Sequence, residues 1–230
     1  MTMPRLHRRA LLSGLGALVA TPALAWDQWP TPRLQPMPGL RPLNDHVLDI
    51  VRGYPFGDVH PYTWTPQVHS DGTTRDLDFR GVALARAHPD GGVHCSGITF
   101  EVWMQALERA GVPSWLTATE LLALKHTWYV RDGNPHGPVS ALASRGLGVV
   151  LQSLDELQPG DFVQFWRNSG KGHSAVFLDH RRRRDGSVRG LAFWSAQSSS
   201  EGIGIRFASF GPGEHHLSAI HGVRPVRPVV

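Results

Sequence analysis

The chain has 230 residues, a formal charge of +4, 41% hydrophobic and 18% charged residues, and one cysteine. Its length suits one ordinary globular domain with a modest attachment, and its hydrophobic share excludes a disordered chain. The lone cysteine excludes a disulfide framework and any cysteine-based zinc site, and no uninterrupted apolar stretch reaches the roughly 18 residues of a membrane-spanning helix. Arg5, Arg8 and Arg9 lie in an opening stretch without acids, and the remainder is close to neutral even with the run Arg181 to Arg184. A basic footprint for nucleic acid is therefore missing.

Residues 1–25 read as an export signal: a short basic start, the small and apolar run Ala10 to Ala20, and Ala23-Leu24-Ala25 as a cleavage pattern. Arg8-Arg9-Ala10-Leu11-Leu12 fits a twin-arginine signal as well as an ordinary Sec signal. Either route predicts a periplasmic or secreted protein, with no stable membrane insertion once the signal is removed. Residues 26–43 carry Pro30, Pro32, Pro36, Pro38 and Pro42 and read as an extended arm. Asn44 is placed to cap a helix running to Val51, with Val47, Leu48 and Val51 on one face. Tyr54 to Asp90 has no clean period and reads as loops and short strands.

Gly91 to Gly97 is a tight, small-residue lead-in to a helix whose stripe is Ile98, Val102, Ala106 and Ala110, stopped by Gly111 and Pro113. Further helices are expected over Thr117 to Tyr129 and Pro138 to Arg145. After Leu154 the pattern turns to strands: Phe162 to Trp166, His173 to Asp179, a hairpin at Asp185-Gly186, Leu191 to Ala196, Ile203 to Phe207 and Ala219 to Val223. Arg224 to Val230 reads as a frayed tail. Helices followed by an antiparallel meander predict an α+β domain over 44–230.

The helix lead-in places Cys95 at a helix N-terminus, where unpaired amides and the positive dipole end favour a thiolate. The same amides, at Cys95 and Ser96, are positioned to hold an oxyanion on an attacked carbonyl. Of the histidines, His173 opens a strand that follows a Pro-Gly-Asp turn, which puts it where a strand reaches the start of a packed helix. Hairpin register about Asp185-Gly186 sets His173 across from about position 198, within one residue. Gln197 lies there, with an amide oxygen able to orient an imidazole; Ser195 and Ser198 are weaker candidates.

These residues resemble a family. His94-Cys95-Ser96-Gly97-Ile98 is similar to the Asp-Cys-Ser-Gly helix start of NlpC-type papain-like cysteine peptidases. Leu157-x-Pro-Gly-Asp161 followed by Gly172-His173-Ser174-Ala175-Val176 resembles their next two strands, a pattern shared in part by CHAP amidases. The resemblance implies a papain-like fold, a nucleophile Cys95, a base His173, a third polar residue Gln197, and cleavage of a γ-D-glutamyl or similar amide in peptidoglycan stem peptides. Pro61-Tyr62-Thr63-Trp64 matches the family's upstream tyrosine motif, so Tyr62 joins Ser96 as a substrate or oxyanion residue. His94 stands where the family has Asp, and the long interval between Cys95 and His173 points to an insertion over 115–150 within a core of 91–223.

The expectation is thus an exported, monomeric cysteine hydrolase that needs no cofactor and no metal. Acyl transfer through the same thioester, and a catalytically silent wall-binding module, are the alternatives. His215, His216 and His221 lack metal-site spacing. Arg167 and Lys171 read as an ordinary charged turn. Gly172 to Val176 lacks the second glycine of a serine-hydrolase elbow, and Gly202-x-Gly204 lacks a third glycine for a dinucleotide.

Overall fold

The structure, a computed structural model, describes residues 30–64 and 71–229. The expected signal segment lies outside the described residues. Within them the chain is a mixed α+β domain: four helices, α1 (Asn44–Arg52), α2 (Cys95–Ala110), α3 (Ala118–Trp128) and α4 (Pro138–Ala143), against an antiparallel sheet. The sheet runs in the order β1 (Leu40–Pro42), β9 (Leu217–Pro228), β5 (Phe162–Arg167), β6 (Gly172–Arg182), β7 (Val188–Gln197) and β8 (Gly202–Ser209), with β4 (Gly148–Leu151) also on β9. A separate hairpin joins β2 (Leu77–Phe79) and β3 (Val82–Ala85). No helix among the described residues is long and apolar enough to cross a membrane.

Strand alternation gives the sheet two buried faces. Phe162, Val176 and Trp194 point into the cluster formed with Val47 and Val51 of α1, Ile98, Trp103 and Leu107 of α2, and Trp128 of α3. Val163, Phe165, Ala175, Phe177 and Phe193 fill a second cluster on the opposite face, closed by Leu157 and Leu217. In the first cluster Phe100, Trp103, Trp128 and Phe162 meet in a chain of tilted and edge-on rings, 5.2–5.9 Å between centroids. The Trp128 indole also donates to Thr99 Oγ1 of α2 at 3.1 Å. Residues 115–150 therefore furnish core from α3, and β4 extends the sheet, so this segment is no surface appendage.

Two expectations are corrected. Asn44 does not cap α1: Leu43 holds that position, while the Asn44 amide is buried and donates to Asp161 Oδ1 at 2.8 Å and Pro159 O at 2.9 Å. Arg224 to Pro228 is not a frayed tail but the last part of β9, pairing with β4 and β1. The fully buried Asp161, the aspartate of the Pro-Gly-Asp turn, is the common anchor. It accepts from Asn44, from the Gln158 amide at 2.7 Å, and from Arg224 Nε and Nη2 at 3.1 and 2.9 Å. That knot ties α1, β5 and β9 together at the base of the strand leading to His173.

The long hairpin of β6 and β7 contains a register shift between Phe177 and Asp179. A second shift, between Arg181 and Arg182, sets Arg182 opposite Val188 next to the turn; only the middle pairs, Arg181–Gly190 to Asp179–Ala192, hold the register expected from Asp185-Gly186, and beyond Phe177 it slips by one, to Val176 opposite Trp194. The Arg181 to Arg184 run is split: Arg181 lies over the Phe207 ring and Arg182 pairs with Asp155, both on the β6 edge.

Candidate active site

The start of α2 is built around close backbone contact. His94 is extended (φ −140°, ψ 166°), and its Nδ1 accepts from the Gly97 amide at 3.2 Å, capping the 16-residue helix. An N-cap must supply an acceptor to the first-turn amides, and imidazole does so here in place of a carboxylate. Acceptance at Nδ1 fixes the neutral tautomer with its proton on Nε2. Burial, the larger influence, holds His94 down at about 4, with Asp71 pulling it up and Arg131 adding to the depression. Gly97 admits no side chain, because a Cβ there would meet the backbone of Asp71 and Gly72, which crosses the helix at that point. Gly72 itself has φ +67° and lies under the His94 ring.

Cys95 is the first residue of α2 and is half-buried, with Sγ 3.9 Å from Ser96 Oγ. Burial pushes the thiol up, opposed by the Ser174 backbone amide and by the hydroxyl and amide of Ser96. Tyr62 is brought beside it by a short parallel bridge to Val93, with the Val93 amide donating to Pro61 O at 2.9 Å and Thr63 N to Val93 O at 2.8 Å. Burial and the neighbouring Cys95 hold the Tyr62 phenol above its ordinary range. Cys95 and Ser96 thus stand at the start of α2 with the Tyr62 segment bridged to Val93 beside them.

His173 is placed differently. It pairs with Phe165 across β5 and β6, so its ring belongs to the second face, 5.1 Å from the Phe165 ring and 5.6 Å from that of Phe193. Its Nε2 is buried without a hydrogen-bond partner among the described residues. Burial, with Arg167 second, lowers it to about 3. Gln197 ends β7, directly across from His173 if the Val176–Trp194 register is continued, and its Nε2 is also buried without a partner. The two side chains therefore share a face, as expected. Their register differs by one from the turn arithmetic because of the shift after Phe177.

No hydrogen bond joins Cys95 to His173. The sulfur lies against the amide of Ser174, one peptide link from His173, where β6 and β7 have stopped pairing and Ser195 Oγ donates to Ser174 O at 2.8 Å. At rest this is a neutral thiol beside a neutral imidazole, not a preformed ion pair.

Sequence reasoning passed over two residues here. Ser174 and Gln164 are buried on the α2 face, joined Oγ to Oε1 at 2.7 Å, and strand alternation from His173 would have placed both there. The three histidines weighed for a metal do not converge. His216 Nδ1 accepts from the Gly213 amide, while His221 packs 4.3 Å from His136. No group of three metal-binding side chains occurs among the described residues.

No known family model, curated protein or solved structure matches this chain.

Proposed function

We propose that the chain is an exported, papain-like thiol hydrolase that cleaves a γ-D-glutamyl or similar amide in peptidoglycan stem peptides. The observation that carries this reading is the seating of the Cys95 thiol at the first turn of α2, against the backbone one residue from His173 and beside Tyr62. A buried imidazole nitrogen without a partner costs about 1–3 kcal/mol, and a catalytic role accounts for keeping it one residue from the backbone that the thiol touches.

In the proposed mechanism the substrate carbonyl enters at the start of α2. The end of β6, no longer paired with β7, turns so that the His173 ring leaves its seat between Phe165 and Phe193, and His173 removes the thiol proton as sulfur attacks. First-turn amides of α2 stabilise the oxyanion, Tyr62 borders it, and Gln197 orients the imidazolium. His173 returns the proton to the leaving amine, leaving a thioester. Water, deprotonated by His173, then attacks the thioester, releasing the acid and restoring the thiol. A helix N-terminus capped by neutral His94 carries no carboxylate to oppose charge on sulfur.

The test is incubation of the mature protein with purified muropeptides and mass analysis of the products. Cleavage with release of a new amine, abolished in Cys95→Ala and lowered about 10²–10⁴-fold in His173→Ala, is the expected result. Absence of cleavage by the unaltered protein, or equal cleavage by Cys95→Ala, overturns the reading.

A further inference from the structure

From the start of α2, beside the thiol, a line of rings leads through buried His94 and half-buried Tyr129 to a cation. The ring of Trp64, whose residue is 65% exposed, lies edge-on to His94 at 5.5 Å, and His94 lies edge-on to Tyr129 at the same separation. The Arg131 guanidinium sits over the Tyr129 ring, 5.1 Å from its centroid. The Tyr129 ring is itself fixed, its hydroxyl donating to Asp71 O at 2.6 Å. Arg131 is thus linked through the Tyr129 and His94 rings to the start of α2, where His94 immediately precedes Cys95.

Charge in this strip is unbalanced. Of the two carboxylates around Tyr129, Glu101 is held by Tyr54, Thr74 and Arg75, and Asp71 by Lys125, with Nζ at 2.8 Å from Oδ1. Its second oxygen accepts from the Arg86 amide at 2.9 Å. Arg131 Nη2 stands 3.8 Å away, beyond hydrogen-bond distance, with its side chain 50% exposed. The guanidinium is therefore oriented by stacking while its fork of donors stays available, an arrangement suited to bidentate capture of a carboxylate. His94, neutral near pH 7, adds no competing charge.

We infer that Arg131 recognises a free carboxylate of the substrate, namely the α-carboxylate that a γ-linked glutamyl residue leaves beside the scissile amide, with the exposed Trp64 ring as an apolar wall. The inference rests on the hydrolase reading above and adds a specificity to it: stem peptides with a free glutamyl α-carboxylate are preferred over those in which it is amidated.

The experiment compares two γ-D-glutamyl-lysine peptides, one with a free glutamyl α-carboxylate and one with the α-carboxamide, on the unaltered protein, Arg131→Ala and Arg131→Lys. The expected result is a kcat/KM ratio favouring the carboxylate that falls tenfold or more in Arg131→Ala and recovers only partly in Arg131→Lys. A fold defect lowers both substrates together and leaves the ratio alone; an unchanged ratio overturns the inference. Calorimetric binding of the same peptides to Cys95→Ala, with and without Arg131→Ala, separates the two readings. Arg131-dependent binding without turnover in the unaltered protein sustains the carboxylate site and refutes the hydrolase. Turnover without Arg131-dependent discrimination does the reverse, and neither binding nor turnover overturns both.

Discussion

Replacing Arg224 by alanine tests whether the Pro-Gly-Asp aspartate is a structural anchor. In the intact protein Asp161 is fully buried and receives two hydrogen bonds from the Arg224 fork, at 3.1 and 2.9 Å, and one each from Asn44 and Gln158. Removing Arg224 leaves a buried carboxylate with two neutral donors, and breaking such a pair from one side costs about 3–5 kcal/mol. For a chain of this size each kcal/mol is about 2–4 °C in Tm, so a fall of roughly 6–20 °C is expected. The pH dependence identifies the cause. Burial already holds the Asp161 carboxyl above its usual value with Arg224 opposing, and without Arg224 it rises further. A carboxyl raised on folding contributes most below its unfolded pKa of about 3.9 and loses that contribution as pH rises through the folded value. The deficit of Arg224→Ala against the unaltered protein, from urea unfolding, is therefore largest at pH 7 and shrinks toward pH 4; histidine contributions are common to both proteins and cancel. A deficit below about 1 kcal/mol, or one that does not change with pH, refutes the anchor.

Four further outcomes follow from the same geometry. His94→Asp keeps a capping acceptor but sets a negative charge beside the thiol and pushes it further up; iodoacetamide alkylation near pH 8 slows about tenfold, and an unchanged rate contradicts the arrangement at the helix start. In the protein without substrate, Cys95 alkylation should rise only above the ordinary thiol value of about 8.5, because burial pushes it up, and His173→Ala should leave that curve in place. A shift on removing His173 would mean the pair is preformed. Gly97→Ala drives a methyl into the backbone of Asp71 and Gly72 and should cost about 1–3 kcal/mol in urea unfolding, where a neutral effect argues against that crossing. His94 and His173 are held at about 4 and about 3, below the unfolded value of about 6.5. Their contribution is complete above that value and is lost as pH falls toward 4, on the order of 3 kcal/mol each. His173→Phe should flatten the slope of stability between pH 6.5 and 4, and an unaltered slope refutes the assignment.

The legible parts of this fold are those governed by local rules. Ile98, Val102 and Ala106 repeat at helical spacing, and α2 begins at Cys95 as its lead-in implied. The Asp185-Gly186 turn sets the β6–β7 hairpin, and α3 starts at the capping box of Thr117 and Glu120. The parts that escaped depend on distant partners. Asn44 looks like a cap from its neighbours alone, yet a buried carboxylate 117 positions away claims its amide. Arg224 to Pro228 looks like a tail because proline and arginine are poor strand formers, but pairing with β4 and β1 and the Asp161 ion pair override propensity. The two register shifts in the β6–β7 hairpin, at Phe177/Asp179 and Arg181/Arg182, are invisible in the sequence, and they set which residues of β7 approach the His173 end of β6.

The same shifts bear on how the site would work. A strand puts alternate residues on opposite faces, so a sequence that sends Val176 into the α2 cluster must send His173 and Phe177 into the other. The thiol meets β6 at the Ser174 amide, where β6 still pairs with β5 but has stopped pairing with β7. The imidazole on the far face is desolvated there, and a contact with the sulfur requires the end of β6, no longer paired with β7, to turn with it. Burial then acts on both groups in the same sense, raising the thiol and lowering the imidazole, and each shift opposes proton transfer in the empty site. A substrate carbonyl held at the α2 amides reverses this balance, because charge leaving sulfur is spread onto the oxyanion and the imidazolium gains the polar groups it lacks at rest. Resting inertness toward an alkylating agent and turnover on a bound peptide are therefore compatible properties of one geometry.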